Sequence, residues 1–437
     1  MHELPRLCRI SITLLGLLAV CGFATASAKP LPVARWWPAE NLPLYPSAVS
    51  VGPTGAALLL GFADSAGHTR LLYRPAGGPP GSPQALPSAL GYPTGTPLDV
   101  GWFSNGSSLI ANPGADMIAF RPSGAHASVG APQNLGNGKG EGPAAYGCHS
   151  TDPLTYCPAI ATASNGWALI GLEGNLGVGA AFRSPGPKGS VDMRHAKYFG
   201  AGTVLGVALD PKDGGAVIAW IGAGTTLEEA IRAPGAASFG KPQPIVKDPH
   251  QPAMATDSSG YAVISWAGGP AGPDSYPTQV YASVRIPGKG FGATHDVGNS
   301  PNGDPLTTLP AITSTGDALV AWTRIASSSA FGATIATAHR RSWSAERADG
   351  PADSQIGGVA SAGKSVLIAS RIGLSQTVFE VQNGSSTASG IMLAGVKKFP
   401  SGATAMGVGE SGTALYMYEQ LAHGQLRYLL LPYETRG

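Results

Sequence analysis

The side chains of this chain that could do chemistry are few and far apart. Cys148 and Cys157 stand with eight residues between them, and His149 lies beside the first. In an oxidising compartment two such cysteines form a disulfide, closing a short loop and contributing about 2–3 kcal/mol on the chain-entropy account. The spacing is not the Cys-x-x-Cys of redox motifs, and one histidine does not complete a metal set. His149, His195, His250, His295 and His339 are scattered, so only the fold could bring two or three together. Asp210-Pro-Lys-Asp213-Gly214 has the look of a cation loop but lacks its alternating oxygen ligands and terminal Glu, and reads as a turn. No Gly-x-Ser-x-Gly elbow, His-Glu-x-x-His helix or phosphate-binding glycine loop occurs. No metal, cofactor or catalytic residue is therefore assigned. Paired carboxylates for glycoside hydrolysis can converge from distant segments and leave no linear trace.

Aromatic residues are the better candidates for ligand contact. Trp220, Trp266 and Trp322 each follow a turn glycine by six residues, as in Ala-Val-Ile-Ser-Trp266. They could be stacking platforms for sugar rings or a protein ligand. Equally, recurrence at one repeat position is what a packing consensus produces. Tyr146, Asp274, Tyr276 and Asp304 lie in the longest connections and complete the set of candidate binding residues.

Those residues are positioned by a repeat. A small-residue turn ending in glycine and followed by an apolar run occurs at Gly55, Gly106, Gly166, Gly214, Gly260, Gly316, Gly363 and Gly412, with gaps of 51, 60, 48, 46, 56, 47 and 49 residues. This period is that of four-stranded propeller blades. The clearest unit divides into strands a to d over 252–257, 261–266, 279–285 and 291–297, each short, apolar or alternating, and bounded by Gly and Pro. A second corner recurs between strands c and d: Arg74-Pro-Ala-Gly77, Arg121-Pro-Ser-Gly124, Arg183-Ser-Pro-Gly186, Arg232-Ala-Pro-Gly235 and Arg285-Ile-Pro-Gly288. The last unit has strands a to c only, and 34–42 is an orphan strand with the pattern of a strand d. The expected fold is thus an all-β propeller of eight four-stranded antiparallel blades, closed by the N-terminal strand pairing with strand c of the last blade. Seven blades is the alternative, because 96–138 conforms poorly to the repeat.

Residues 1–28 read as a secretory signal peptide. Arg6 and Arg9 precede an apolar stretch, 10–20, too short to span a bilayer, and Ala26-Ser27-Ala28 is a small-x-small cleavage site. Lipidation at Cys21 is the rival reading, weakened by the bulky Val20 before it. The remainder, 29–437, is expected to be one exported domain without a transmembrane anchor, and a monomer. The 62 Gly and 38 Pro residues of the full 437-residue chain fit a turn-rich protein, and its charged share of 12% is about half the usual one. With a net charge of +2 and no basic cluster, nucleic acid and anionic membranes are not implied as partners.

The phrase of turn glycine, alanine, two aliphatics and tryptophan, followed by Arg-x-Pro-Gly and an aromatic-led strand, resembles the β-propeller repeats of secreted bacterial proteins. The resemblance spans about residues 33–433. It implies a fold and not a function, because such propellers include binding scaffolds, lectins, hydrolases and lyases. The chain departs from the sialidase pattern, since Asp257-x-x-Gly260 lies between strands a and b and no Ser-x-Asp-x-Gly-x-x-Trp box occurs, and from WD repeats. The leading expectation is a noncatalytic propeller that binds an extracellular protein or glycan through the face bearing its long loops. A glycan-active hydrolase or lyase with its site in the central channel is the second, and a structural cell-envelope component the third.

Overall fold

Where the sequence alternates glycine turns with apolar runs, the chain folds into successive antiparallel hairpins. A computed structural model describes residues 35–36, 40–62, 69–90, 98–112, 117–135, 141–143, 159–271, 277–300, 306–327, 330–339, 341–343, 347–348, 354–362, 365–372, 375–382, 385–386, 391–392, 405–409, 411, 413–422 and 425–434. Among them lie eight antiparallel sheets of four strands or four with one short extra pairing. Helix is confined there to one 3-10 turn, Met193–His195. The architecture is all-β and consistent with a propeller.

We number the sheets by their first strands: Tyr45–Val51, Asp99–Trp102, Ile160–Thr162, Gly202–Leu209, His250–Thr256, Leu306–Ile312, Ser354–Ala362 and Ala405–Val408. The fifth shows the plan, with His250–Thr256, Ala262–Ala271, Pro277–Arg285 and His295–Asn299 side by side in chain order. Its fourth strand begins later than the expected 291. Phe291 instead makes an isolated bridge with Arg285, and its amide donates to Glu229 Oε2 of the fourth sheet at 3.1 Å, which commits this stretch to the neighbour. In the eighth sheet Arg35–Trp36 and Glu40–Leu42 both pair antiparallel with Gln425–Glu434, Arg35 opposite Glu434 and Leu42 opposite Tyr428.

The core lies between sheets. Val263 packs toward the sixth sheet with Val320 and Trp322, while its neighbours Ala262, Ile264 and Trp266 pack toward the fourth with Leu205, Val217 and Leu227. Strand side chains alternate, so a strand buried on both faces must be apolar at every position. This is why the second strands read as continuous apolar runs. Among the described residues such clusters draw on successive sheets, one of them joining Leu59 and Leu72 of the first sheet to Leu415 and Met417 of the eighth. First strands also pack on one another, closely enough that a Cβ on Gly101 would stand 2.5 Å from Ile160 Cγ2 of the next sheet.

Turn glycines take the left-handed conformation their positions demand. Gly55, Gly106, Gly166, Gly214, Gly260 and Gly316 have φ between +74° and +87°, where a Cβ would be strained. Gly363 and Gly412 lie outside the described residues. Because each sheet is antiparallel, these turns and the Pro-Gly corners share one rim, the turn rim. The connections from second to third strand, and from one sheet to the next, share the other, the loop rim.

Candidate functional site: two rims of one scaffold

The buried arginines lie at the turn rim. Arg121 donates to Pro122 O at 3.1 Å and Gly124 O at 2.8 Å, and its guanidinium lies 4.4 Å from the centre of the Tyr73 ring. Arg183 repeats this geometry one sheet on, bonding Ser184 O at 3.1 Å and Gly186 O at 2.8 Å and lying 4.8 Å from the Phe120 ring. Arg232 donates to Gly214 O and lies 4.8 Å from Phe182. Each arginine thus ties its own sheet's turn and covers an aromatic ring of the preceding sheet. Burial pulls Arg121 and Arg183 below the usual guanidinium range.

In the fifth sheet the same position is Arg285, wholly buried and bonded through Nη1 to Gly260 O. The preceding sheet offers Ile231 where the others offer an aromatic ring. Arg285 instead sits in the field of Asp210 and Glu229, themselves 5% and 6% exposed. Burial pulls Arg285 down to about 10 and pushes both carboxyls up, the latter opposed by the Phe291 amide at Glu229 and the Lys212 amide at Asp210. Asp210 Oδ1 accepts from Lys212 N at 3.1 Å and Asp213 Oδ1 from Gly215 N at 3.0 Å, so this segment is a turn stabilised by its own acids.

Of the sequence candidates, Tyr146, Cys148, Cys157, Asp274, Tyr276 and Asp304 lie outside the described residues, as does His149. Trp220, Trp266 and Trp322 are 1%, 1% and 0% exposed. Phe199 stacks on Trp220 with ring centres 5.1 Å apart, Tyr281 stacks on Trp266 at 6.0 Å, and Trp322 Nε1 donates to Asn299 O at 3.4 Å. The three indoles belong to three different inter-sheet clusters and fill them. They are not gathered on one surface, and none of these three indoles has an open face. The histidines are likewise dispersed. His195 pairs with Asp192 at 2.7 Å, lowering that carboxyl, and His339 pairs with Asp317 at 2.5 Å. Among the described residues no group of three His, Cys, Asp or Glu side chains is placed to hold a metal ion, and no helix is long and apolar enough to cross a membrane.

Sequence reasoning missed what the loop rim does with its first strands. Register shifts fall near the start of that strand in the first, fourth, fifth, sixth and seventh sheets, between Pro46 and Ala48, Val204 and Gly206, His250 and Ala253, Leu306 and Leu309, and Ile356 and Gly358. Such bulges re-aim side chains. The preceding sheet caps two of them: Val204 N donates to Glu173 Oε2 at 3.2 Å and Ile356 N to Thr323 Oγ1 at 3.0 Å. Glu173 and Thr323 each stand seven residues after a turn glycine, a regularity in the sequence that could have marked them.

No known protein family matches the chain, and no curated protein matches it. Among solved structures it is similar to the polysaccharide lyase Uly1, at 9% identity over 90% of this chain and 90% of that one, with a TM-score of 0.46. A streptogramin B lyase is similar at 9% identity over 91% and 98%, TM-score 0.44. The Aleuria aurantia lectin is similar at 11% identity over 63% and 94%, TM-score 0.34.

Proposed function

We propose that the chain is an exported, noncatalytic propeller of eight blades that binds a carbohydrate at its loop rim. One observation carries this reading: the buried arginines of the turn rim are spent on that rim's own turns and on neighbouring rings or carboxyls, while the connections from one sheet to the next, which range from one residue (201) to thirteen (86–98), open on the other. A rigid scaffold with variable loops on one face is the usual arrangement of a binding module. Eight blades are supported by the eight sheets and by the cluster that joins the first to the eighth. Closure by the N-terminal strand is supported by the pairing of 35–36 and 40–42 with Gln425–Glu434. Deleting residues 29–43 tests it, and a deletion variant that melts like the full mature chain refutes it. Cleavage after Ala28 and a Cys148–Cys157 disulfide belong to the same proposal, checked by N-terminal sequencing and by the mass of the alkylated, unreduced protein.

The binding test is a glycan array probed with the folded mature chain and with the Tyr146→Ala/Tyr276→Ala double variant. Saturable binding weakened in the variant is expected. Binding unchanged in the variant moves the ligand off these loops, and no binding by a cooperatively melting chain replaces the carbohydrate with a protein ligand.

A further inference from the structure

The net charge of +2 conceals one strongly basic stretch. Between third and fourth strands the connections 75–83 and 122–132 carry no Lys, Arg, Asp or Glu, and 233–242 and 286–294 carry one lysine each. In the third sheet the corresponding connection, 184–196, carries Lys188 and Arg194, and Lys197 opens the fourth strand, Lys197–Gly200. All three side chains are exposed, and none makes an ion pair among the described residues. The one acid of the stretch is already engaged. Asp192 Oδ1 accepts from Arg194 N at 3.1 Å and His195 N at 3.3 Å, and its Oδ2 pairs with His195 Nδ1 at 2.7 Å. Lys241 of the fourth sheet, also exposed, extends the strip. Phe239, two residues before it, meets Phe199, two residues after Lys197, with ring centres 5.6 Å apart.

The stretch is anchored from both sides. Gln133 of the second sheet donates Nε2 to Val191 O at 3.0 Å and accepts from Val191 N at 2.9 Å, while Asp192 N donates to Phe182 O at 2.8 Å. Val191 is buried and Met193 packs on the same inter-sheet cluster, so the cations beside them stand on fixed backbone. At the turn-rim end of the same sheet is Trp167, 42% exposed. Its turn lies against the start of the basic connection, where a Cβ on Gly166 would stand 3.1 Å from Pro185 Cβ. We infer that this outer edge of the third sheet, Lys188, Arg194 and Lys197 with Trp167 at one end and Lys241 alongside, binds an acidic polysaccharide. Each sugar acid offers a carboxylate to a lysine or arginine and an apolar ring face to an indole, and the exposed cations lack any other partner. Because the cations stay in water, the attraction is screened by salt.

The test measures binding of the folded mature chain to immobilised polygalacturonate, to its methyl ester and to polyuridylate over a range of salt concentrations. Lys188→Gln/Arg194→Gln/Lys197→Gln removes the strip's charge, and Lys247→Gln/Lys289→Gln/Arg427→Gln removes the same charge from exposed positions elsewhere. Expected is saturable, salt-sensitive binding to polygalacturonate and not to the ester, weakened about tenfold or more in the first triple variant and unaltered in the second. Trp167→Ala should weaken it about threefold or more at every salt concentration, as for one lost ring contact. Both triple variants should melt like wild type, because the side chains exchanged are exposed. Equal losses in the two triple variants overturn the inference, as does undiminished binding of the ester or by Trp167→Ala. A first triple variant that melts several degrees lower also overturns it, because the cations would then serve the fold. Polyuridylate bound as tightly as polygalacturonate overturns it in favour of a nucleic-acid surface. Failure of the wild type to bind polygalacturonate overturns it too and leaves the loop-rim reading standing, since none of these residues belongs to that rim.

Discussion

Arg183 provides the sharpest test of how the sheets are joined. Its guanidinium makes two charge-assisted bonds to turn carbonyls and lies 4.8 Å from the Phe120 ring of the preceding sheet, with the residue 2% exposed. Arg183→Met keeps the aliphatic length and removes the charge. The bonds lost are worth about 1.5–3 kcal/mol each and the desolvated cation–π contact about 2 kcal/mol, but burying a guanidinium costs several kcal/mol that methionine does not incur. The net loss expected is about 2 kcal/mol. Phe120→Leu removes the ring alone, so the double-mutant cycle isolates the contact between sheets, with an expected coupling of about 1–2 kcal/mol. Global unfolding is a poor readout for a repeat array, so native-state hydrogen exchange should be followed at the turn. The amides of Gly189 and Asp192, bonded to Gly186 O at 3.1 Å and Phe182 O at 2.8 Å, are the reporters. A coupling of that size appears as about a 5–30-fold change in protection. If the two substitutions add within about 0.5 kcal/mol, the ring is a spectator and the arginine serves only its own turn.

Three further outcomes follow from the same packing. Glu229 has a folded-state carboxyl raised above its unfolded value by burial, so its contribution is fully present below the unfolded value, about 4.3, and is lost as pH rises through the folded one. Wild type should therefore lose stability relative to Glu229→Gln across that rise, as measured by melting both from pH 4 to 7; a constant difference refutes the assignment. Trp266→Ala should lose about 3–5 kcal/mol, since the ring is 1% exposed, and weakened glycan binding without that loss would contradict its placement in the core. Gly101→Ala should cost about 1–3 kcal/mol by calorimetry, because the new Cβ would meet Ile160 Cγ2 at 2.5 Å; a neutral result would mean that the first strands of these sheets can part.

Apart from the N-terminal strand's pairing with Gln425–Glu434, the features legible in the sequence are local, and those that were not depend on a neighbour one repeat away. Glycine at the hairpin turns and at the Pro-Gly corners is demanded by backbone sterics within four residues, so Gly260 and Gly288 announce themselves, and the observed φ of +85° and +76° is the physical reason. The three tryptophans were visible as a recurrence, but the sequence does not say whether a residue at the end of a second strand faces a gap between sheets or the solvent. The inter-sheet partners of Phe199, Tyr281 and Asn299 decide that. Likewise Arg285 looks identical to Arg183 as a corner residue. Its surroundings differ because Ile231 stands where Phe182 and Phe120 stand in earlier repeats, and the missing ring is replaced by Asp210 and Glu229 from the same neighbouring sheet. An arginine that recurs must have its charge met in every repeat, by a π face where the preceding third strand ends in an aromatic and by carboxylates where it does not. Reading the residue before each corner arginine against the arginine of the next repeat would have found both arrangements. The loop rim offers no such rule. Gln251 stands there between two prolines at a bulge, and only the bond that its carbonyl accepts from Thr308 of the following sheet shows how its backbone is held.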